Sequence, residues 1–123
     1  MKISDLSGPA QSRLVQERNI WLATVRGDGR PHLVPIWYVL VDERVYICTQ
    51  PGSVKARNLQ ANPRCTFSLE DGDNAVVIEG IAGVVQPTDT VVAAFQAKFE
   101  WDIRTDSEYA LVFEITPVRR LMG

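Results

Sequence analysis

The sequence predicts a mainly β protein, a small antiparallel barrel, closed or nearly closed, with helices flanking it. Three observations carry this expectation. Six segments are rich in Val, Ile, Thr and aromatic residues, the residue types that fit a pleated, half-buried surface. Turn signals at Gly27-Asp28-Gly29, Asp42-Glu43 and Asp71-Gly72-Asp73-Asn74 separate them at hairpin spacing, and six short strands so spaced favour a small barrel. The 123 residues, 46% hydrophobic and 23% charged, amount to one domain over residues 1–123, at roughly 100–200 residues per domain.

Along the chain, Ser7-Gly8-Pro9 precedes a short helix over Ala10 to Arg18, with Pro near its first turn. Ile20 to Arg26, His32 to Val41 and Val45 to Thr49 then read as three strands of one meander. Gln50-Pro51-Gly52 breaks the pattern, and Ser53 to Ala61 forms a helix stopped by Asn62-Pro63. Arg64 to Glu70 alternates, placing Cys65, Phe67 and Leu69 on one face. Ala75 to Val85 is a long strand whose Gly80 and Gly83 allow a bend or bulge. Thr88 to Trp101 carries Val91, Phe95 and Phe99 on one helical stripe. Tyr109 to Ile115 closes the series, with Leu111, Phe113 and Ile115 inward.

Composition excludes several classes of function. Thirteen Lys and Arg against 15 Asp and Glu leave a net charge of −2, unsuited to broad nucleic-acid binding through many phosphate contacts. Trp37 and Tyr38 stand in a stretch without Lys or Arg, so a stacking surface for single strands is not indicated. The longest apolar runs, such as Leu33 to Val41, are too short to span a bilayer as a helix. Met1 to Ser7 has no apolar signal core, and Cys48 and Cys65 are too few for a disulfide scaffold. The expected location is therefore cytoplasmic, with both thiols reduced and buried. His32 is the only histidine, so a zinc site has too few ligands. It follows Arg30-Pro31 and is expected to lie exposed in a turn rather than to act in catalysis.

The most informative stretch is Thr49-Gln50-Pro51-Gly52-Ser53-Val54-Lys55-Ala56-Arg57-Asn58-Leu59. Ser53 is a natural N-cap. Lys55 and Arg57 fall in the first helical turn, where partial positive charge favours carboxylates instead. An anion at the helix start reverses that conflict, because free N–H groups, a hydroxyl and two cations then converge on one phosphate. A solvated basic helix face is the alternative that spacing alone leaves open. The stretch is not a Walker loop, and Gly27-Asp28-Gly29 opens a hairpin rather than a dinucleotide-binding helix.

The run from Ser53 through Lys55, Asn58 and Asn62-Pro63 to Arg64, together with the strands before it, resembles the signature of the pyridoxamine-phosphate-oxidase-like flavin-binding split barrels. The resemblance extends from about Ile20 to Val85, and the order of elements matches to the last strand. It implies a six-stranded antiparallel split β-barrel, and a homodimer with cofactor sites at its interface. By the same resemblance, Val34, Pro35, Ile36 and Trp37 lie along the flavin ring, largely through backbone groups. Thr49, Ser53, Lys55, Arg57 and Asn58 hold the ribityl chain and phosphate, with Lys55 the best-matched ligand. Glu79 matches a position that meets the pyrimidine edge of the ring, a barrel-exterior carboxylate being its other reading.

The chain departs from true pyridoxamine-phosphate oxidases where Val54, Val34 and Val39 replace basic residues, and it ends at Gly123, soon after Arg119-Arg120. Oxidation of pyridoxamine phosphate is therefore not expected. The shorter relatives that it is more similar to bind FMN or the deazaflavin coenzyme F-420 and reduce varied small molecules. FMN is the first expectation and coenzyme F-420 the alternative. No catalytic side chain is expected, because the cofactor itself carries the hydride. Trp37 and Tyr38 are candidates for a substrate wall or for core, and Trp101 for packing against a partner subunit. A flavin-binding or storage module without turnover is the rival of another class. A haem binder is a third reading, with His32 a thin basis for axial ligation.

Overall fold

A computed structural model describes the whole chain, Met1 to Gly123. Seven strands form one antiparallel sheet: β1 (Asn19–Val25), β2 (Pro31–Trp37), β3 (Val39–Val41), β4 (Arg44–Thr49), β5 (Arg64–Ser68), β6 (Val77–Val84) and β7 (Leu111–Met122). Their order is β2-β1-β5-β6-β7-β4-β3. The two edges, β2 and β3, are consecutive in the chain and separated only by Tyr38. The sheet thus curls until its edges meet at one residue, leaving a split where a closed barrel would have a ladder.

That arrangement corrects the sequence reading in two respects. The stretch His32 to Val41 is two strands, which raises the count from six to seven. It does not continue a meander, since β2 pairs only with β1 and β3 only with β4. The break has a physical cause at Tyr38. Its side chain is fully buried, its hydroxyl donates to Leu14 O at 2.5 Å, and its carbonyl accepts from Lys98 Nζ at 2.9 Å. β2 also carries Pro31 and Pro35, which suits an edge strand, since proline has no N–H for a second neighbour.

The turns follow local chemistry. Gly29, at φ 88°, ends the loop between β1 and β2, where Arg26 N donates to Arg30 O. Asp42 and Glu43, at φ 48° and 70°, both occupy the left-handed region, as a two-residue hairpin between strongly twisted strands requires. Gly80 lies at a register shift between β6 and β7, opposite Pro117. The last strand runs through Pro117 to Met122, beyond the expected end at Ile115, because the irregularity at Gly80 absorbs the missing N–H.

The helices are α1 (Gly8–Gln16), α2 (Val54–Ala61) and α3 (Asp89–Phe99). Ser7, Ser53 and Thr88 cap them, each side-chain oxygen accepting an N–H three residues on. α1 starts and ends two residues earlier than expected, leaving Arg18 outside it, and α3 ends at Phe99 rather than Trp101. Leu14, Ile20, Leu22, Val45, Ile47, Phe67, Phe113 and Ile115 fill the barrel interior. A smaller core forms where α3 packs Val91, Phe95 and Phe99 against Val39, Tyr46, Cys48 and Val112. β4 is therefore buried on both faces, which explains its unbroken apolar run. At about 1.5–3 kcal/mol per fully buried large apolar side chain, these two cores dominate the favourable side of folding.

Candidate functional site

The principal cleft, about 630 Å³, opens between the edge strand β2 and the segment that follows α3. Pro35, Ile36 and Trp37 form one wall, with Asn19 and Cys48 beside them and Lys55 from the start of α2. Phe99, Glu100, Trp101, Asp106 and Tyr109 form the other end. Its size falls in the range of small-molecule sites, roughly 300–1,000 Å³. The side of β2 facing away from β1 pairs with no strand, so backbone polar groups there are free to meet a ligand.

Lys55 is half-buried, and burial lowers its pKa from the ordinary lysine value. None of the four ion pairs of the chain includes Lys55 or Arg57. A cation that loses solvation without gaining a carboxylate is poorly placed for stability alone. It stands in the first turn of α2, where backbone N–H groups lack intrahelical acceptors. Ser53 Oγ already accepts one of them, from Ala56 N at 3.3 Å.

His32 adds to this positive neighbourhood. It lies within β2 and is half-buried, rather than exposed in a turn as expected. Burial, Arg26 and Lys55 lower its pKa, in that order of effect. Its Nδ1 is buried with no hydrogen-bond partner.

Of the residues singled out by sequence, the structure gathers Pro35, Ile36, Trp37 and Lys55 in this cleft. Val34 is half-buried on the opposite side of β2 from Pro35. Thr49 is fully buried, its Oγ1 donating to Leu111 O at 2.9 Å. Asn58 is buried as well, and its Nδ2 donates to Thr24 Oγ1 at 3.0 Å, fastening α2 to β1. Arg57 is exposed. Glu79 lies apart from the cleft, in a shallow depression on the outer sheet face with Arg64, Thr66 and Val118. Trp37 and Tyr38 separate cleanly, the first lining the cleft and the second buried in the core.

Sequence reasoning missed the far end of the cleft. There Trp37 stacks on Phe99 with centroids 4.4 Å apart, and Trp101 meets Trp37, Phe95 and Tyr109 edge-on. Trp101 Nε1 donates to Asp106 Oδ2 at 3.0 Å, so this indole is engaged within its own chain. The only signal was a density of rings and carboxylates, Phe99-Glu100-Trp101-Asp102 followed by Asp106 and Tyr109.

The family model described as pyridoxamine 5′-phosphate oxidase matches residues 8–121. The chain belongs to that family. Solved structures agree with the pyridoxamine 5′-phosphate oxidase assignment at the level of fold. HutZ, the heme storage protein from Vibrio cholerae, superposes with a TM-score of 0.76 at 22% identity, covering 100% of this chain and 98% of its own. An F420 reductase superposes at 0.72 with 24% identity, over 89% of this chain and 94% of its own. A conserved hypothetical protein from Mycobacterium tuberculosis reaches 0.74 with 30% identity, over 94% of this chain and 82% of its own. No match was found among curated protein sequences.

Proposed function

We propose that this family member binds a flavin-type cofactor, FMN first and coenzyme F-420 as the alternative, and passes a hydride between it and a small molecule. The observation that carries the proposal is Lys55, a half-buried cation without a carboxylate partner, at a helix start inside the main cleft. Those features suit a phosphate, which both cofactors carry. The F420 reductase among the structural neighbours supports the redox reading. When bound, the cofactor supplies the hydride chemistry.

The chain's own residues bind and orient. Lys55 and the first N–H groups of α2 take the phosphate, with Arg57 adding long-range attraction from the surface. Pro35, Ile36 and Trp37 line the ring through the free edge of β2. Thr49 and Asn58 act as positioning residues: their hydrogen bonds to Leu111 and Thr24 hold β4 and α2 in place around the phosphate end. The proposed assembly is a homodimer with a cofactor site at each end of the interface, where Glu79 on the outer sheet face of one subunit approaches the cleft of the other.

Titration of the protein with FMN and, separately, with coenzyme F-420, following cofactor fluorescence, tests this reading. The expected result is saturable binding of one of them, weakened at least about ten-fold in the Lys55→Ala/Arg57→Ala double variant, since charged hydrogen bonds contribute about 1.5–3 kcal/mol each. Binding of neither cofactor, or undiminished binding by the variant, overturns it. Reduced cofactor that is stable to every electron acceptor tried supports the second reading, a binding module without turnover; a heme storage protein, HutZ, is among the structural neighbours. Haem suits the donors less well. His32 is the single imidazole and is not among the residues lining the cleft, and burial raises the Cys48 thiol in the cleft to a pKa of about 12.

A further inference from the structure

The cleft is electrically bipolar. Its lining carries Lys55 from the start of α2 and the carboxylates of Glu100 and Asp106 from the segment that follows α3, with Trp37, Phe99, Trp101 and Tyr109 among the walls. Asp106 is firmly anionic. Its Oδ1 accepts the backbone N–H groups of Glu108 and Tyr109, and its Oδ2 accepts the Trp101 indole, bonds that hold its carboxyl below the usual aspartate range. Glu100 is exposed at φ 52°, the left-handed cap of α3, which turns the chain from the helix into the loop. The adjoining groove continues the negative character through Asp102 and Glu108. Arg18 and Lys98 lie against the rings of Trp37, Phe99 and Tyr38, and Arg104 pairs with Asp89; none of the three is in the cleft lining.

Resting on the flavin-type reading above, we infer that the aromatic, acidic end of the cleft binds the substrate, and that the substrate is an organic cation, an apolar or planar body carrying a protonated or quaternary amine. Aromatic faces attract such a group through their quadrupoles; Arg18 already lies over Trp37 and Phe99, so Trp101 and Tyr109 are the rings left to a ligand. The carboxylates supply the complementary charge; Glu100 is exposed, so this attraction is of the salt-screened kind and is strongest at low ionic strength. Lys55 disfavours a substrate cation beside it, and an anionic substrate gains nothing beside the carboxylates. Charge along the cleft thus orients cofactor and substrate relative to one another.

The test is a low-salt titration of the cofactor-free protein, following tryptophan fluorescence, with benzyltrimethylammonium, benzyl alcohol and phenylacetate as cationic, neutral and anionic probes of similar size. The expected result is binding of the cation at least about ten-fold tighter than of either other probe, reduced about three-fold or more in Glu100→Gln and weakened by added salt. Equal affinities, no binding of the cation at millimolar concentration, or an unchanged preference in Glu100→Gln overturns the inference. FMN and coenzyme F-420 titrated into the same samples report on the flavin-type reading separately. A protein that binds one of them without preferring the cation keeps its cofactor and loses this substrate class. One that prefers the cation but binds neither cofactor retains the cation site and loses the flavin-type reading.

Discussion

Lys98 shows how much a single residue can hold together. Its ammonium lies 4.0 Å from the centre of the Tyr38 ring and donates to Tyr38 O, the carbonyl at the crossing between β2 and β3. Burial, with a smaller contribution from Arg18 and an opposing one from Glu17, brings its pKa from 10.5 down to about 8. The sign of the consequence follows from linkage. Below pH 8 the lysine is charged in both native and unfolded chains, and the cost of desolvating it is fully present. Between about pH 8 and 10.5 the native protein releases a proton that the unfolded chain keeps, so stability from this group rises with pH. Thermal melts of wild type and Lys98→Met between pH 7.5 and 10 are expected to show the wild type gaining on the variant across that window. A constant difference excludes the shift. None of this was legible in the sequence, where Lys98 is one charge in a helix and its partners lie on other elements. Lys55 was legible, because its place after Ser53 breaks a local electrostatic rule and needs no tertiary information to notice.

At the scale of elements, the sequence conveyed what depends on neighbours a few residues away. Turn residues located the hairpins at Gly27 to Gly29 and Asp42-Glu43, and alternation placed Cys65, Phe67 and Leu69 inward, as found. The split of β2 from β3 was hidden because no glycine or proline marks it. Contacts to Leu14 and Lys98, 24 and 60 residues away, make it. The bend at Gly80 was anticipated from glycine alone, but its reason is close packing. A Cβ there would stand 2.6 Å from Ile115 Cγ2 and 3.1 Å from Thr116 O. Ile115 is fully buried and its methyl branches from Cβ, so it cannot swing aside. Gly80→Ala is expected to destabilise the fold by about 1–3 kcal/mol, the usual cost of overpacking a core, measured by urea denaturation. Gly83, where an added Cβ meets nothing within 4 Å, is the control. Equal effects of the two alanine substitutions contradict the packing argument.

For the whole molecule, the outer face of the curled sheet is the feature that one chain does not explain. Trp21 and Pro35 are cross-strand neighbours on it, as are Ala23 and Leu33. Leu33 is 60% exposed, Met122 55% and Val118 51%, with Trp21, Trp37 and Ile81 near 40%. Scattered exposed apolar residues are ordinary, but a run of them across adjacent strands marks a surface that another surface covers. The same face carries Glu79 in its shallow depression, and its β2 edge borders the cleft through Trp37. The proposed homodimer covers this face with a second copy of the chain, which buries the patch and Glu79 with it. Leu33 projects outward from β2, so a charge placed there leaves the barrel interior intact. Leu33→Asp is expected to shift the protein from dimer to monomer in light scattering at micromolar concentration. It should also weaken binding of the flavin-type cofactor, while far-ultraviolet circular dichroism stays that of the parent. A wild type that is monomeric at that concentration removes the interface. A monomeric variant that binds cofactor as tightly as the parent keeps the dimer but places the cofactor within a single subunit.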